Sequence, residues 1–292
     1  MSLPAPDEKW GPMQSYLYGK HKGPADALFF HGNGFSAHTY DTLLNSISSE
    51  ASIRAFDFQG HGRSDGITDL NRLKSWRLFR DNVELALTRN GPSILIAHSL
   101  GAVSSLFTTM KHPSLVKALI LLEPVFPPPF LNFLLGPVQL MGIEVRGHGL
   151  IPQARARRAY FDDVEEASAY FMGRKGLKTW PEDAIRNYAQ SILRPRRDGE
   201  PGLELSMERE WEARIYANVP AWLWPGKQLD MPILLAYGAH RFSTVSEARV
   251  NWFRKRAPRL VEAKHPKAGH MLPVDHAEWT AEQVRSFLRQ LG

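Results

Sequence analysis

Ser93-Ile-Leu-Ile-Ala-His-Ser-Leu-Gly-Ala102 is the stretch on which the fold turns. An aliphatic run ends abruptly at His98-Ser99, and helix-forming residues follow with no loop between. A strand that turns straight into a helix holds the side chain at its corner on a strained, exposed elbow. The two backbone arms nearly touch there, so the residues two before and two after the corner must be small. Ala97 and Gly101 meet that need. A serine in this position could also do no more than cap the helix. Partners elsewhere in the chain decide between a cap and a nucleophile.

Short apolar runs recur along the chain, each ended by turn residues: Ala27 to Phe30, Ser52 to Phe56, Ile94 to Ala97, Ala118 to Leu122 and Pro232 to Tyr237. Runs this short and this continuous suit strands buried on both faces, as in a parallel sheet. Helical segments lie between and after them, at Tyr40 to Ser49, Trp76 to Arg89, Leu100 to Lys111, Ser246 to Arg256 and Trp279 to Leu291. The alternation predicts an α/β fold with a mostly parallel, doubly wound sheet. Gln14 to Tyr18 reads as a strand of an N-terminal hairpin. The rhythm stops after Glu123 at a proline hinge, Pro127-Pro-Pro129, and resumes at Leu229. The expected organisation is therefore a core of residues 1–124 and 228–292, with a helical insertion at 125–227.

The 292 residues are 43% hydrophobic and 23% charged, an ordinary globular composition. The net charge of +6 is spread along the chain with acids among the bases, so no nucleic-acid footprint stands out. Arg155, Arg157 and Arg158, and later Arg194, Arg196 and Arg197, form the densest basic clusters and read as solvated faces. With no cysteine, disulfides, thiolate metal sites and a cysteine nucleophile are excluded. Met1 to Trp10 lacks a basic head and an apolar run, and the apolar stretch from Phe126 to Met141 is prolyl-broken and short. A soluble cytoplasmic protein without a membrane span is expected. No metal cluster, phosphate-cradling loop or cofactor signature is present, so no cofactor is expected.

Four motifs stand in order: His31-Gly-Asn-Gly-Phe35, Asp57-Phe-Gln-Gly-His-Gly-Arg-Ser64, Ala97-His-Ser-Leu-Gly101 and Ala268-Gly-His-Met-Leu-Pro273. Together they resemble the α/β-hydrolase superfamily: its His-Gly-x loop, its D-x-x-G-x-G-x-S loop, its G-x-S-x-G elbow and its late histidine. Ala97 departs from the usual first glycine by one methyl group. The resemblance implies a Ser, acid, His triad in that chain order, with Ser99 as nucleophile and His270 as base. The insertion then falls where the superfamily carries its cap, after the sixth strand. The Asp57 loop is structural in that family.

The acid departs from the usual pattern. A Gly-x-x-Asp context is expected after the seventh core strand, yet the chain reads Tyr237-Gly-Ala-His-Arg-Phe-Ser243 there. Neither His240 nor Arg241 can accept an imidazole hydrogen bond as a carboxylate does. Glu123, directly after the sixth strand, takes a second position known in the superfamily and is the first choice; Glu247 and Asp275 stay open. The oxyanion hole is expected at the backbone N–H groups of Leu100 and Asn33, with Gly34 as the alternative to Asn33. His31 braces its loop. His98 is expected behind the elbow as a mainly structural residue, and is kept among the candidate substrate contacts with Gly34, Phe35, Phe126, Phe130, Phe133 and Leu134.

A serine at the elbow excludes the dehalogenase and epoxide hydrolase chemistry of this fold, which needs an elbow aspartate. Three functions follow from the resemblance. The first is hydrolysis of a small-molecule carboxylic ester with an apolar part, through an acyl-enzyme. The second uses the same triad for C–C bond cleavage or acyl transfer. The third is a ligand-binding protein with vestigial chemistry.

Overall fold

The computed structural model describes residues 6–20, 23–67, 69–70, 73, 75–126, 149–218 and 228–292. Numbered in chain order, the strands are β1 (Glu8–Trp10), β2 (Met13–Tyr18), β3 (Ala27–Phe30), β4 (Ile53–Asp57), β5 (Ser93–His98) and β6 (Val116–Leu122). They continue as β7 (Tyr160–Phe161), β8 (Leu193–Pro195), β9 (Leu203–Leu205), β10 (Ile233–Gly238) and β11 (Leu260–His265). Eight of them form one sheet in the order β1-β2-β4-β3-β5-β6-β10-β11. From β4 to β11 every pairing is parallel, and β2 alone runs antiparallel, to both of its neighbours β1 and β4.

Each central strand is apolar on both sides because both sides are covered. Along β5, Ile94 and Ile96 face one hydrophobic cluster while Leu95 and Ala97 face the other; β3 divides the same way between Ala27, Phe29 and Leu28, Phe30. This is the period-two pleat with no solvent face, and it accounts for the continuous aliphatic runs. The helices α1 (Asp41–Ile47) and Ala277–Arg289 cover the first cluster. The helices α2 (Arg77–Asn90), α3 (Leu100–Lys111) and Glu247–Arg254 cover the second.

The strand β11 was not legible as an apolar run. It is the sheet edge, its sequence is Leu-Val-Glu-Ala-Lys-His, and only Ala263 is buried. An edge strand with charged residues keeps its open backbone from recruiting another strand.

Between β6 and β10 the described residues 149–218 carry the helices Leu150–Arg155, Val164–Met172, Glu182–Ile192 and Arg209–Ala217. They also form a three-stranded antiparallel sheet, β7-β9-β8, which the purely helical expectation omitted. This segment packs on the loops that follow β3 and β4, at the carboxyl edge of the large sheet. The indole Nε1 of Trp76 donates to the Ile215 carbonyl at 3.0 Å, and Phe35 lies 5.5 Å from Tyr188 and 5.9 Å from Trp180, centroid to centroid. Among the described residues, no helix is long and apolar enough to cross a membrane.

Candidate active site

The elbow is built by close approach. The strand β5 ends at His98, α3 begins at Leu100, and Ser99 between them sits at φ 54°, ψ −114°. A non-glycine residue there is strained, and such strain gathers at functional sites. A Cβ on Gly101 would lie 2.4 Å from the Phe30 carbonyl oxygen, so only glycine lets α3 pass this close to β3. The Gly101 N–H uses that proximity to donate to the His31 carbonyl at 3.2 Å. Ser99 itself donates its backbone N–H to Leu122, at the end of β6.

His270 arrives from the loop after β11, its backbone N–H held by the Phe242 carbonyl. Its Nε2 lies 2.9 Å from Ser99 Oγ. Its Nδ1 lies 3.6 Å from Glu123 Oε2 and 3.3 Å from Thr244 Oγ1. The first separation is longer than a hydrogen bond and is an ion-pair distance to a charged ring. Of the three candidate acids, Glu123 is the one beside the ring. Glu247 points outward, pairing with Arg254, and Asp275 is a partly buried carboxyl whose pKa burial pushes up.

Glu123 is fully buried and stands at φ 45°, a second strained non-glycine residue. Four donors hold its carboxylate: Gly238 N–H at 2.6 Å and Ser243 Oγ at 2.7 Å on Oε1, Thr244 N–H at 2.8 Å and Thr244 Oγ1 at 3.0 Å on Oε2. Burial alone would raise its pKa. The His270 ring and the Gly238 and Thr244 amides outweigh that and hold the carboxyl below its ordinary range. The β10 loop thus lacks the expected aspartate but contributes the cradle for a carboxylate carried by β6. Ser243 and Thr244 were missed from the sequence. The signal that could have found them is a hydroxyl pair in the loop from which the acid has gone.

The loop after β3 lies against Ser99: a Cβ on Gly32 would be 3.2 Å from Ser99 Cβ. His31 fixes the following peptide. The Phe58 N–H donates to His31 Nε2 at 3.0 Å, so the ring proton is on Nδ1, which donates to the Gly32 carbonyl at 2.6 Å. In a trans peptide the N–H points opposite to the C=O, so the Asn33 N–H is turned away from His31. Leu100 is the first residue of α3, where an N–H has no intrahelical acceptor.

The other candidates divide. Phe35 packs between Tyr40 and the inserted rings of Trp180 and Tyr188. Gly34 faces Glu212, whose Oε1 would be 2.8 Å from a Cβ there. His98 is fully buried, and both ring nitrogens contact the protein's own oxygens, so it is no substrate contact here. Phe126 is packed against Phe253 beneath the Arg249 guanidinium, inside the core rather than over the elbow. Phe130, Phe133 and Leu134 lie outside the described residues. Asp57 accepts from Tyr16 Oη and the Ala37 and Arg63 amides, the bracing expected of its loop. Arg157, expected on a solvated face, is instead largely buried beside Gly34, donating to Glu212 Oε2 at 2.7 Å and to the Tyr188 hydroxyl.

A sequence model described as the alpha/beta hydrolase family matches residues 27–283. Over 271 residues, 92% of this chain and 89% of the relative, there is 27% identity to the 2-(acetamidomethylene)succinate hydrolase of Mesorhizobium japonicum. The crystal structure of E-2-(acetamidomethylene)succinate hydrolase superposes with a TM-score of 0.69 at 25% identity, covering 95% of each chain. The thioesterase domain from the curacin biosynthetic pathway shares the fold, with a TM-score of 0.69 at 20% identity over 98% of this chain and all of that one.

Proposed function

The chain belongs to the alpha/beta hydrolase family, and on that premise we propose that it is a serine hydrolase acting on carboxylic esters through an acyl-enzyme. The observation that carries this reading is the line from Ser99 Oγ through the His270 ring to Glu123, at 2.9 Å and 3.6 Å. A serine hydroxyl is a weak nucleophile until a base takes its proton as the bond to carbon forms. His270 Nε2 takes that proton, and the Glu123 carboxylate orients the ring and stabilises its charged form. The tetrahedral oxyanion is held by the Asn33 and Leu100 N–H groups, the second at the positive end of α3. The C–O bond then breaks, His270 returns the proton to the departing alcohol, and an ester on Ser99 remains. Water, deprotonated by His270, attacks that ester and regenerates the serine.

The substrate reading is an ester with a sizeable apolar part. Residues 125–227 are read as the cap and residues 1–124 and 228–292 as the core. In that reading the cap presents the rings of Trp180 and Tyr188, packed on Phe35, and Arg157 is already neutralised by Glu212. The relative named above hydrolyses a compound with a succinate in its name. Here the cap arginine beside the oxyanion loop has its charge taken up, which favours a neutral group at that end. A series of p-nitrophenyl esters of increasing chain length tests both parts. Turnover that rises with chain length after an initial burst of one equivalent is expected. Turnover confined to short, charged esters would overturn the substrate reading, and linear product release with no covalent adduct on Ser99 would overturn the acyl-enzyme.

A further inference from the structure

Behind the elbow, Tyr40 and His98 join two loops that the chain separates by more than two hundred residues. Tyr40 Oη lies 3.1 Å from the Gly32 N and 2.7 Å from His98 Nδ1, and His98 Nε2 lies 2.9 Å from the His270 carbonyl oxygen. Tyr40 is 1% exposed and His98 is fully buried, so bulk solvent reaches neither. We infer that these contacts form a one-directional relay, Gly32 N–H to Tyr40 Oη, Tyr40 O–H to His98 Nδ1, His98 Nε2–H to the His270 carbonyl, which sets the oxyanion loop and the base loop at a fixed spacing across Ser99.

The direction is forced by donor and acceptor chemistry. A carbonyl oxygen only accepts, so His98 carries a proton on Nε2. Burial, and then the neighbouring His270, push the His98 imidazole far below its ordinary range, so the ring is neutral and Nδ1 is bare. A bare Nδ1 must receive the Tyr40 hydroxyl proton, and burial pushes the Tyr40 phenol well up, so that proton stays. The Tyr40 oxygen is then left to accept from Gly32. No member can be reversed without leaving a buried polar group unpaired, which costs about 1–3 kcal/mol. One end of the relay consumes the Gly32 N–H, so this amide is withdrawn from oxyanion binding. The other end holds the backbone of the residue whose ring faces Ser99. Tyr40 and His98 are positioning residues, because neither reaches the reacting atoms.

The kinetic consequence rests on the serine-hydrolase reading, whereas the relay itself does not, and the test separates them. In ¹⁵N-labelled protein, the His98 ring is expected to carry its proton on Nε2. The Gly32 amide is expected to exchange with solvent at least about tenfold faster in both Tyr40→Phe and His98→Phe, since each breaks the same chain. His98 protonated on Nδ1, or Gly32 exchange unchanged in His98→Phe, would overturn the relay. If His98→Phe does not fold, Tyr40→Phe and the tautomer still decide. With an ester substrate, kcat per titrated site should fall on the order of 10- to 100-fold in each variant, with KM within about twofold. The double variant should be no worse than either single one, because the residues act as a unit. A purely structural role would reduce the number of titratable sites and leave kcat per site unchanged, and that result overturns the positioning claim. An inactive wild-type chain would remove the serine-hydrolase reading, while exchange and tautomer still decide the relay.

Discussion

Glu123 shows what a single residue can carry. Its backbone sits in the left-handed region, its side chain has no solvent exposure, and four donors converge on two oxygens. Such a carboxylate is costly to bury, and it persists because every lone pair that matters is used. Replacing it by glutamine keeps the shape but offers the His270 ring an amide that cannot stabilise an imidazolium. Glu123→Gln should lower kcat by ~10³–10⁴-fold with KM little changed, as measured by steady-state ester hydrolysis. The same residue predicts a pH dependence. Its pKa is depressed on folding, so the stability it contributes is fully present above the ordinary glutamate value of about 4.3 and is lost as pH falls through the lower folded value. Thermal melts between neutral pH and pH 3 should show an acid-side loss in the wild type that is smaller in Glu123→Gln.

At the scale of elements, the site depends on backbones meeting without side chains between them. A Cβ on Gly238, at the end of β10, would lie 1.9 Å from the Ala268 carbonyl oxygen, on the loop that delivers His270. Gly238→Ala must therefore push that loop away from Glu123, and Gly101→Ala must push α3 off β3. Each is expected to cost about 1–3 kcal/mol or more in urea unfolding, and Gly238→Ala should also lower kcat. In the inserted segment, Arg157 and Glu212 link the stretch before β7 to the helix Arg209–Ala217. Removing one partner leaves a largely buried charge, so Glu212→Ala should destabilise by about 3–5 kcal/mol, whereas an Arg157→Met, Glu212→Leu pair should recover most of it. A Glu212→Ala variant as stable as the wild type would mean that solvent reaches the arginine.

Elements of this kind were unevenly legible. The central strands and α3 could be read because burial on both faces leaves an unbroken aliphatic signature. β11 could not, because an edge strand carries charge, and neither could β7, β8 and β9, which are two or three residues long and too short to show an alternation. The elbow serine and the late histidine had local sequence contexts. The hydroxyls that hold Glu123, the inward turn of Arg157 and the packing of Phe126 had none, since each is decided by what lies across space.

Taken as a whole, the molecule shares one hydrophobic cluster between sheet and insertion: Phe29 and Tyr40 belong to the same cluster as Phe161, Phe171, Trp180 and Tyr188. The two parts should therefore unfold together, with calorimetric and van't Hoff enthalpies in agreement, and two resolved transitions would contradict a common core. The same arrangement places the carboxyl ends of β3, β5, β6 and β10 around one serine, which is the premise of the proposed chemistry. The most direct test is labelling with a fluorophosphonate probe, with the modified residue mapped by mass spectrometry. Rapid modification of Ser99, absent in Ser99→Ala and slowed by orders of magnitude in His270→Ala and Glu123→Gln, is the predicted result. An intact protein that takes no label at Ser99, or one labelled at the same rate in all three variants, would contradict the triad.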